Sequence, residues 1–306
     1  NADSRSVLLA NYNGTPPRYT TVLEGIQEQA GADIRVHYAC GSDLYQEKVE
    51  DLAEHGDRFA EAVSVAEKSD VVVLCVGLDA CIEGEEGDAS NEYAAGDKKD
   101  LDLPKIQQEL VRKVSAVGKP VVLVMMSGSA MNLLWESEHM NAILQAWYPG
   151  AEGGAAVAEL LFGKFSPSGK LPVTIYRTNE ELPDFTDYSM ENRTYRYMKN
   201  PALYPFGYGL SYTEFSYQEQ KLEKTCDGIK VTVSVKNMGK MAGYETVQCY
   251  VKTGIEGAPK HSLRGFHPIY LKAGEEAGVT FLLTDEDFAV VNEQGRLVLS
   301  PGEYEV

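Results

Sequence analysis

Two apolar runs, separated by one helical pattern, place the strongest constraint on how this chain folds. They read VVVLCVG at 71–77 and PVVLVMM at 120–126. Continuous β-branched runs of this kind are typical of strands buried on both faces of a parallel sheet. Between them, LPKIQQELVRKVSAVG at 103–118 carries apolar residues at helical spacing and ends at a glycine. The pattern predicts a strand, a crossover helix and a second strand of one parallel sheet.

Strand-like and helix-like segments continue to alternate through the first 165 or so residues. Further strands are predicted at VLLANY (7–12), DIRVHYA (33–39) and NAILQAWY (141–148). Further helices are predicted at 21–30, 52–70 and 152–163, the last ending at Gly163. The predicted fold class is therefore α/β, with a mostly parallel sheet sandwiched by helices.

The C-terminal part of the chain has a different pattern. Residues 165–215 are rich in proline, glycine and tyrosine, and contain too many aromatic residues for a disordered linker. From 216 onwards, short alternating segments such as KVTVSVKNMG are separated by turn signals, which predicts an antiparallel β-sandwich. The predicted domains are an α/β domain at 1–190, an ordered aromatic connector at 191–215 and a β-sandwich at 216–306.

Composition excludes several classes of function. The 306 residues suit two domains, and 28 basic against 46 acidic residues give a net charge of −18. Neither nucleic acid nor an anionic membrane surface is an expected partner, because both require a basic face. A neutral substrate such as a sugar fits this charge. The five scattered cysteines form no CxxC pair, so reduced thiols and a cytoplasmic location are expected, with an extracellular or periplasmic location as the alternative.

An acidic segment follows the first long apolar run. Residues 83–102 contain eight carboxylates: Glu83, Glu85, Glu86, Asp88, Glu92, Asp97, Asp100 and Asp102. In open α/β sheets, ligands bind at the carboxyl ends of the strands, which is where this segment begins. It is interpreted as a solvated acidic face, a metal cradle or a loop that carries one working acid. The segment lacks EF-hand spacing and a nearby histidine, so neither a metal nor a cofactor is predicted.

A working acid in such a segment has a definite chemistry. Crowded carboxylates resist ionisation, so the most buried one has a raised pKa and can donate a proton to a leaving oxygen. Glycoside hydrolysis uses two carboxylates, one as the acid and one as the nucleophile or base. Two nearby motifs are weaker candidates. SGSA at 127–130 is interpreted as a turn, and Trp147 as a core residue rather than a platform for a sugar ring.

The strongest motifs together resemble those of glycoside hydrolase family three. They are, in chain order, EGEEGD, GDKKDLDLP, GKPVVLVMMSGSA, AWYPGAEGGAAVAELLFGKFSPSGKLPVT, NRTYRY and LYPFGYGLSYTEF. Their order and spacing are similar to those of the family's second and third domains across nearly the whole chain. The resemblance implies that residues 216–306 form a fibronectin type III-like domain.

The resemblance also implies an activity, that of a retaining, exo-acting β-glucosidase or β-xylosidase acting on terminal non-reducing sugars. In this family a (β/α)8 barrel carries the substrate pocket and an aspartate nucleophile, and the second domain contributes a loop with the general acid/base glutamate. Matching GEEGD to the family's Gly-Glu-Gly-x-Asp pattern gives this role to Glu85. The match contains an extra glutamate, so Glu86 and Glu83 remain alternatives. Substrate-binding residues are not assigned.

Neither a barrel nor a nucleophile motif occurs in these residues. The family's second domain usually opens with a strand that ends in Gly-Pro-Asn-Ala-Asp, whereas this chain begins at Asn1, Ala2 and Asp3. We therefore expect a C-terminal fragment whose first strand is missing and whose partner is the barrel of the same protein. The isolated chain is expected to have negligible glycosidase activity. The alternative function is a non-catalytic carbohydrate-binding or scaffold module.

Overall fold

The computed structural model describes residues 1–49, 51–84 and 98–306. They divide into two compact units, described separately below. The first unit comprises residues 1–164 and 176–181, and the second comprises 165–175 and 182–306. Within the described part of the chain, no helix is long and apolar enough to cross a membrane.

The first unit is an α/β structure, as the alternating pattern predicted. Its elements in chain order are a 3₁₀ turn (Ser6–Leu8), α1 (Val22–Ala30), α2 (Asp57–Glu67), β1 (Val72–Gly77), α3 (Ala80–Glu83), α4 (Lys105–Ser115), β2 (Val121–Met126), α5 (Leu134–His139), β3 (Ala142–Gln145), α6 (Gly153–Leu161) and a 3₁₀ turn (Asn179–Glu181). The strands form a parallel sheet in the order β1-β2-β3. The two apolar runs thus become neighbouring strands, and α4 is the crossover helix between them.

Two predicted strands of the first unit are wrong. VLLANY contributes a 3₁₀ turn, because Val7 and Leu8 are fully buried and pack beside β2 and α6 residues such as Met126 and Val157. The apolar residues of this segment are therefore explained by the burial of one 3₁₀ turn and not by a strand. DIRVHYA adopts neither helix nor strand in the structure, and its large apolar side chains are exposed, with Ile34 50% accessible. Without a surface to pack against, alternation alone does not stabilise a strand.

Helices α1 and α6 approach each other unusually closely. A methyl group on Gly154 would clash with the backbone carbonyl of Thr21, and one on Gly25 would clash with the Gly154 carbonyl. The start of α1 is fixed by a capping box in which Thr21 and Glu24 exchange hydrogen bonds with each other's backbone N–H groups. The two glycines therefore set the distance between these helices.

The second unit is an antiparallel β-sandwich, which confirms the all-β prediction for the C-terminal part. Its elements are α7 (Thr194–Tyr197), β4 (Phe215–Thr225), β5 (Gly228–Asn237), β6 (Gly243–Thr253), β7 (Ser262–Leu271), β8 (Glu276–Leu283), α8 (Asp285–Phe288), β9 (Val290–Val291), β10 (Leu297–Val298) and β11 (Tyr304–Glu305). One sheet has the order β4-β5-β8 and the other β11-β6-β7. Their inward residues form the core, which includes Val231, Val235, Val247, Cys249 and Leu283.

Candidate functional site

The candidate site lies where the three parallel strands end. The chain leaves β1 after Gly77, β2 after Met126 and β3 after Gln145. Backbone hydrogen bonds continue past the strands: Leu78 N–H donates to the Met126 carbonyl over 2.8 Å, and Ala146 N–H donates to the Met125 carbonyl over 2.8 Å. Three loops therefore lie side by side at the carboxyl end of the sheet, as expected for a ligand site in this fold class.

The first loop begins after Gly77, whose backbone is constrained by its neighbours. Gly77 has a φ of 134°, and a side chain there would clash with the backbone of Met126. The buried amide of Gln107, on α4, accepts a hydrogen bond from Gly77 N–H over 2.8 Å and donates one to the Gly77 carbonyl over 2.7 Å. It also donates to the Leu44 carbonyl over 2.6 Å. Gln107 thereby satisfies both backbone groups at the point where the chain leaves the strand.

A single helical turn, α3, then places Glu83 at the carboxyl end of the sheet. Asp79 caps this turn, because its Oδ1 accepts a hydrogen bond from Ile82 N–H over 2.9 Å. The Glu83 carboxylate Oε2 accepts hydrogen bonds from Gly128 N–H, over 2.8 Å, and from the Tyr148 hydroxyl. Its Oε1 is buried and has no hydrogen-bond partner among the described residues. Glu83 therefore links the loop after β1 to the loops after β2 and β3.

The partners of Glu83 are closely packed. A methyl group on Gly128 would lie 2.6 Å from Tyr148 Cε2 and 2.7 Å from Glu83 Oε2, so only glycine fits between the two side chains. Burial and the hydrogen bond to Glu83 raise the pKa of the Tyr148 phenol far above its usual range. Tyr148 therefore stays a hydrogen-bond donor at any physiological pH. The preceding residue, Trp147, has a φ of 57°, a conformation rare for a bulky side chain.

Lys98 belongs to the C-terminal part of the acidic segment. Its ammonium donates to the Ala130 carbonyl over 3.1 Å and contacts Met131 Sδ at 3.1 Å. Burial lowers the pKa of the Lys98 ammonium, and the nearby carboxylates, among them Glu83, act in the opposite direction. The Lys98 ammonium therefore contacts the loop that follows β2.

The last two carboxylates of the acidic segment have structural contacts. Asp102 Oδ1 accepts a hydrogen bond from the Asn132 side-chain amide over 3.0 Å, and Asp100 Oδ1 accepts one from Asp102 N–H over 3.0 Å. Asn132 N–H also donates to the Leu101 carbonyl over 2.6 Å. These bonds connect residues 100–102 to the loop after β2, so the two carboxylates stabilise the local backbone structure.

The structure describes one of the three candidate acids predicted from sequence. Glu83, the third candidate acid, is at the strand edge, whereas Glu85 and Glu86 lie outside the described residues. No group of three or more potential ligands that could hold a metal occurs in residues 1–49, 51–84 and 98–306. Sequence reasoning missed Tyr148, Gly128 and Lys98. The signals were available: Tyr148 is the last residue of a predicted strand, and Lys98 with Lys99 interrupts an acidic run.

Comparisons with known proteins agree with this architecture. A family model described as "Glycosyl hydrolase family 3 C-terminal domain" matches residues 1–212, and one described as "Fibronectin type III-like domain" matches 245–306. A xylan 1,4-beta-xylosidase of Xylanibacter ruminicola is 42% identical over 96% of the chain. A periplasmic beta-glucosidase of Salmonella typhimurium is 34% identical over 100% of it. The chain spans 34% and 43% of the length of these two relatives.

Solved structures show the same relationship. A beta-glucosidase of Bifidobacterium adolescentis matches with a TM-score of 0.82 and 32% identity, over 97% of this chain and 44% of that one. The resemblance seen in the motifs is thus confirmed by sequence and by structure. Because the first family model covers more than two thirds of the residues, this chain belongs to glycoside hydrolase family 3 and matches the C-terminal part of its members.

Proposed function

We propose that this chain supplies the general acid/base segment of a retaining, exo-acting β-glycosidase of the β-xylosidase or β-glucosidase type. The observation that carries the proposal is the position of the acidic segment. It follows the carboxyl end of β1, and two of its described residues, Glu83 and Lys98, contact the loop that follows β2. The substrates would be oligosaccharides or other β-glycosides, from which a terminal non-reducing sugar is released.

We assign the acid/base role to Glu85, with Glu86 as the alternative. The family pattern supports Glu85, and the contacts of Glu83 argue against the third candidate. Glu83 Oε2 already accepts two hydrogen bonds, and Oε1 is buried. A general acid must come within hydrogen-bond distance of the leaving oxygen, and the contacts of Glu83 make it less suited to this than a glutamate that is not engaged in them.

The second carboxylate of the reaction is proposed to come from a (β/α)8 barrel of the same protein. Retaining glycosidases place a nucleophile about 5–5.5 Å from the acid, so the acid segment needs a facing domain. The relatives named above are more than twice as long as this chain, which leaves room for such a domain. The nucleophile would form the glycosyl-enzyme intermediate, while the acid protonates the leaving oxygen and then deprotonates the attacking water.

The test is kinetic and uses the full-length enzyme. In Glu85→Gln, kcat/KM for phenyl β-xyloside and phenyl β-glucoside should fall by about 10²–10⁴-fold, because their leaving groups need protonation. Hydrolysis of the 2,4-dinitrophenyl glycosides should fall far less, and Glu86→Gln is the matched control. Equal losses on both leaving groups, or none, would refute the assignment to Glu85. The same dependence in Glu86→Gln instead would transfer the role to Glu86.

A second candidate function is a non-catalytic carbohydrate-binding module, and one feature of the second unit favours it. Tyr244 on β6 and Tyr270 on β7 are paired across the strands, with ring centroids 5.0 Å apart and side chains 53% and 51% exposed. Phe266 on the same sheet is 65% exposed. Exposed aromatic groups of this kind mark binding surfaces. Calorimetry with xylo-oligosaccharides should then detect binding that Tyr270→Ala abolishes and Tyr188→Ala retains; no heat with this chain would dismiss the module.

We also propose that residues 1–190 and 216–306 are separate domains joined by the connector 191–215. The family matches at 1–212 and 245–306 support two domains without fixing these boundaries. The test is expression of residues 216–306 alone. Cooperative thermal unfolding of that fragment is expected, and its absence would show that residues before 216 belong to the same folding unit.

The proposed compartment is the cytoplasm, with an extracellular or periplasmic location as the alternative. Exposed Cys40 and Cys226 are free thiols, which is typical of a reducing compartment. One relative is named as periplasmic, which is the reason to keep the alternative. Immunodetection of the full-length protein in separated cytoplasmic and periplasmic fractions would decide between them.

A further inference from the structure

One loop of the second unit carries unusually exposed aromatic side chains. Phe185 is 82% exposed and Tyr188 is 85% exposed, whereas no other phenylalanine or tyrosine of this unit, which is described throughout, is more than 65% exposed. Met190, two residues further on, is also exposed. We call residues 184–194 the aromatic loop. Grouped apolar side chains of this kind mark surfaces that a partner covers, whereas single exposed ones are ordinary.

The aromatic loop has an unusual backbone conformation. Met190, Asn192 and Thr194 have φ values of 61°, 56° and 54°. Residues other than glycine rarely adopt this left-handed region, and a β-branched residue such as threonine is an outlier there. Conformations of this kind cost free energy and persist only where other contacts hold them. The shape of this loop is therefore specified by its surroundings.

Hydrogen bonds within the loop supply those contacts. The Arg193 guanidinium donates to the backbone carbonyl of Asp184 over 3.1 Å and also to that of Asp187. The Asn192 side-chain carbonyl accepts a hydrogen bond from Lys199 N–H over 2.7 Å. Arg193 thus connects the end of the loop to its beginning, so the exposed aromatic side chains belong to a backbone that is fixed from within.

The residues that follow the loop attach it to the β-sandwich. The Tyr195 ring stacks on Phe206 with ring centroids 4.3 Å apart, and the Tyr195 hydroxyl accepts a hydrogen bond from Leu263 N–H, on β7, over 3.3 Å. Lys260 N–H donates to the Arg196 carbonyl over 2.8 Å. A partner that binds the aromatic loop would therefore be held against the sandwich.

We propose that the aromatic loop is a docking surface for the (β/α)8 barrel of the same protein. The inference rests on the proposed function, in which that barrel carries the nucleophile. This chain covers 44% of the solved beta-glucosidase of Bifidobacterium adolescentis, so more than half of that chain lies outside the matched part. A domain of that size needs a contact surface, and the aromatic loop carries the most exposed aromatic side chains of the second unit.

The composition of the loop defines the surface that it fits. Its charged residues are Asp184, Asp187, Glu191 and Arg193, three acidic against one basic. An apolar recess with a basic rim is the complementary surface. A buried aromatic side chain removes about 150–250 Å² from water, and interfaces between domains of one chain bury about 600–1,500 Å². The two aromatic side chains therefore supply a large share of such an interface.

The first test measures whether the loop is covered. Hydroxyl-radical oxidation, read by mass spectrometry, is compared between this chain alone and the full-length enzyme. Oxidation of Phe185 and Tyr188 should be about tenfold or more slower in the full-length enzyme, because the centre of an interface excludes water. Tyr270 on β7 is the internal reference. Equal oxidation in both forms would overturn the proposal. Protection that appears in the chain alone and grows with its concentration would identify a second copy as the occupant, which would also overturn it.

The second test uses the double variant Phe185→Ser and Tyr188→Ser. Because both side chains are exposed in this chain, its melting temperature should not change, whereas that of the full-length enzyme should fall by about 2 °C or more. Tyr188→Phe keeps the ring and is the matched control, with parent-like melting in both forms. Equal falls in both forms would mean that the rings stabilise the second unit itself, and no fall in either would mean that nothing covers them. Each of these results would overturn the docking surface.

Glu85→Gln and Glu86→Gln, measured in the full-length enzyme, keep this inference separate from the proposed function. If either shows the dependence on the leaving group while Phe185 and Tyr188 are oxidised as fast as in the chain alone, the docking surface is wrong and the proposed function stands. If neither shows it while both aromatic residues are protected, the proposed function fails and the docking surface stands.

Discussion

Replacing Gln107 by leucine should destabilise the first unit because it disrupts the point where the acidic loop leaves β1. The side chain is 2% exposed and makes hydrogen bonds to Gly77 N–H, to the Gly77 carbonyl and to the Leu44 carbonyl. Leucine has a similar volume but would leave both backbone groups of the buried Gly77 unpaired. Each unpaired backbone group of Gly77 costs about 1–3 kcal/mol of stability. The Leu44 carbonyl is partly exposed and can bond to water instead, so we expect the free energy of unfolding to fall by about 3 kcal/mol in total.

Urea unfolding followed by tryptophan fluorescence measures this loss selectively. Both tryptophans of the chain, Trp135 and Trp147, belong to the first unit. With an m-value of about 2 kcal/mol/M, the midpoint should fall by about 1.5 M. Gln108→Leu is the matched control on the same helix. Gln108 is partly exposed and makes one bond, to the Leu103 carbonyl, so a loss below about 1 kcal/mol is expected. Equal midpoints for the two variants would refute the reasoning.

Three further predictions concern stability and reactivity. Gly154→Ala should cost about 1–3 kcal/mol by overpacking α1 against α6, whereas Gly14→Ala, which has open space, should be neutral in the same urea assay. Burial raises the pKa of the Cys75 thiol to about 11, so a disulfide reagent should modify exposed Cys226 in the folded chain and reach Cys75 only after denaturation. Burial also raises the pKa of Glu136, so its contribution to stability is lost as the pH rises through its folded-state pKa. Glu136→Gln should therefore melt higher than the parent chain near about pH 7, and this difference should shrink towards about pH 4; a difference independent of pH would contradict this cause.

The strands of the sheet were predictable from sequence where a continuous apolar run coincides with burial in the structure. The runs that became β1 and β2 are apolar at every position, and strands buried on both faces are the elements that such runs form between helices. The segment at 33–39 alternates between polar and apolar residues but has no layer that covers its apolar side chains, so its local strand propensity was overruled by tertiary context. For 7–12 the apolar run was interpreted as a strand, whereas its buried residues Val7 and Leu8 belong to a 3₁₀ turn.

The location of the candidate site was predictable, whereas its internal contacts were not. A loop after a parallel strand is a ligand position for topological reasons, and the dense carboxylates identified which loop. The partner of Glu83, Tyr148, is 65 residues away in the chain and follows a different strand. Its role depends on the order of the strands in the sheet, which brings the loops after β1, β2 and β3 side by side. Periodicity carries no information on that juxtaposition.

The contacts of Glu83 follow from where α3 ends. Glu83 is the last residue of this single turn, and the next residue, Gly84, has a φ of 85°, which terminates it. A residue in the turn is fixed by Asp79 and packs against the sheet edge, so its carboxylate is used in hydrogen bonds. These contacts of Glu83 are the reason for which the proposed function assigns the acid to Glu85 rather than to Glu83.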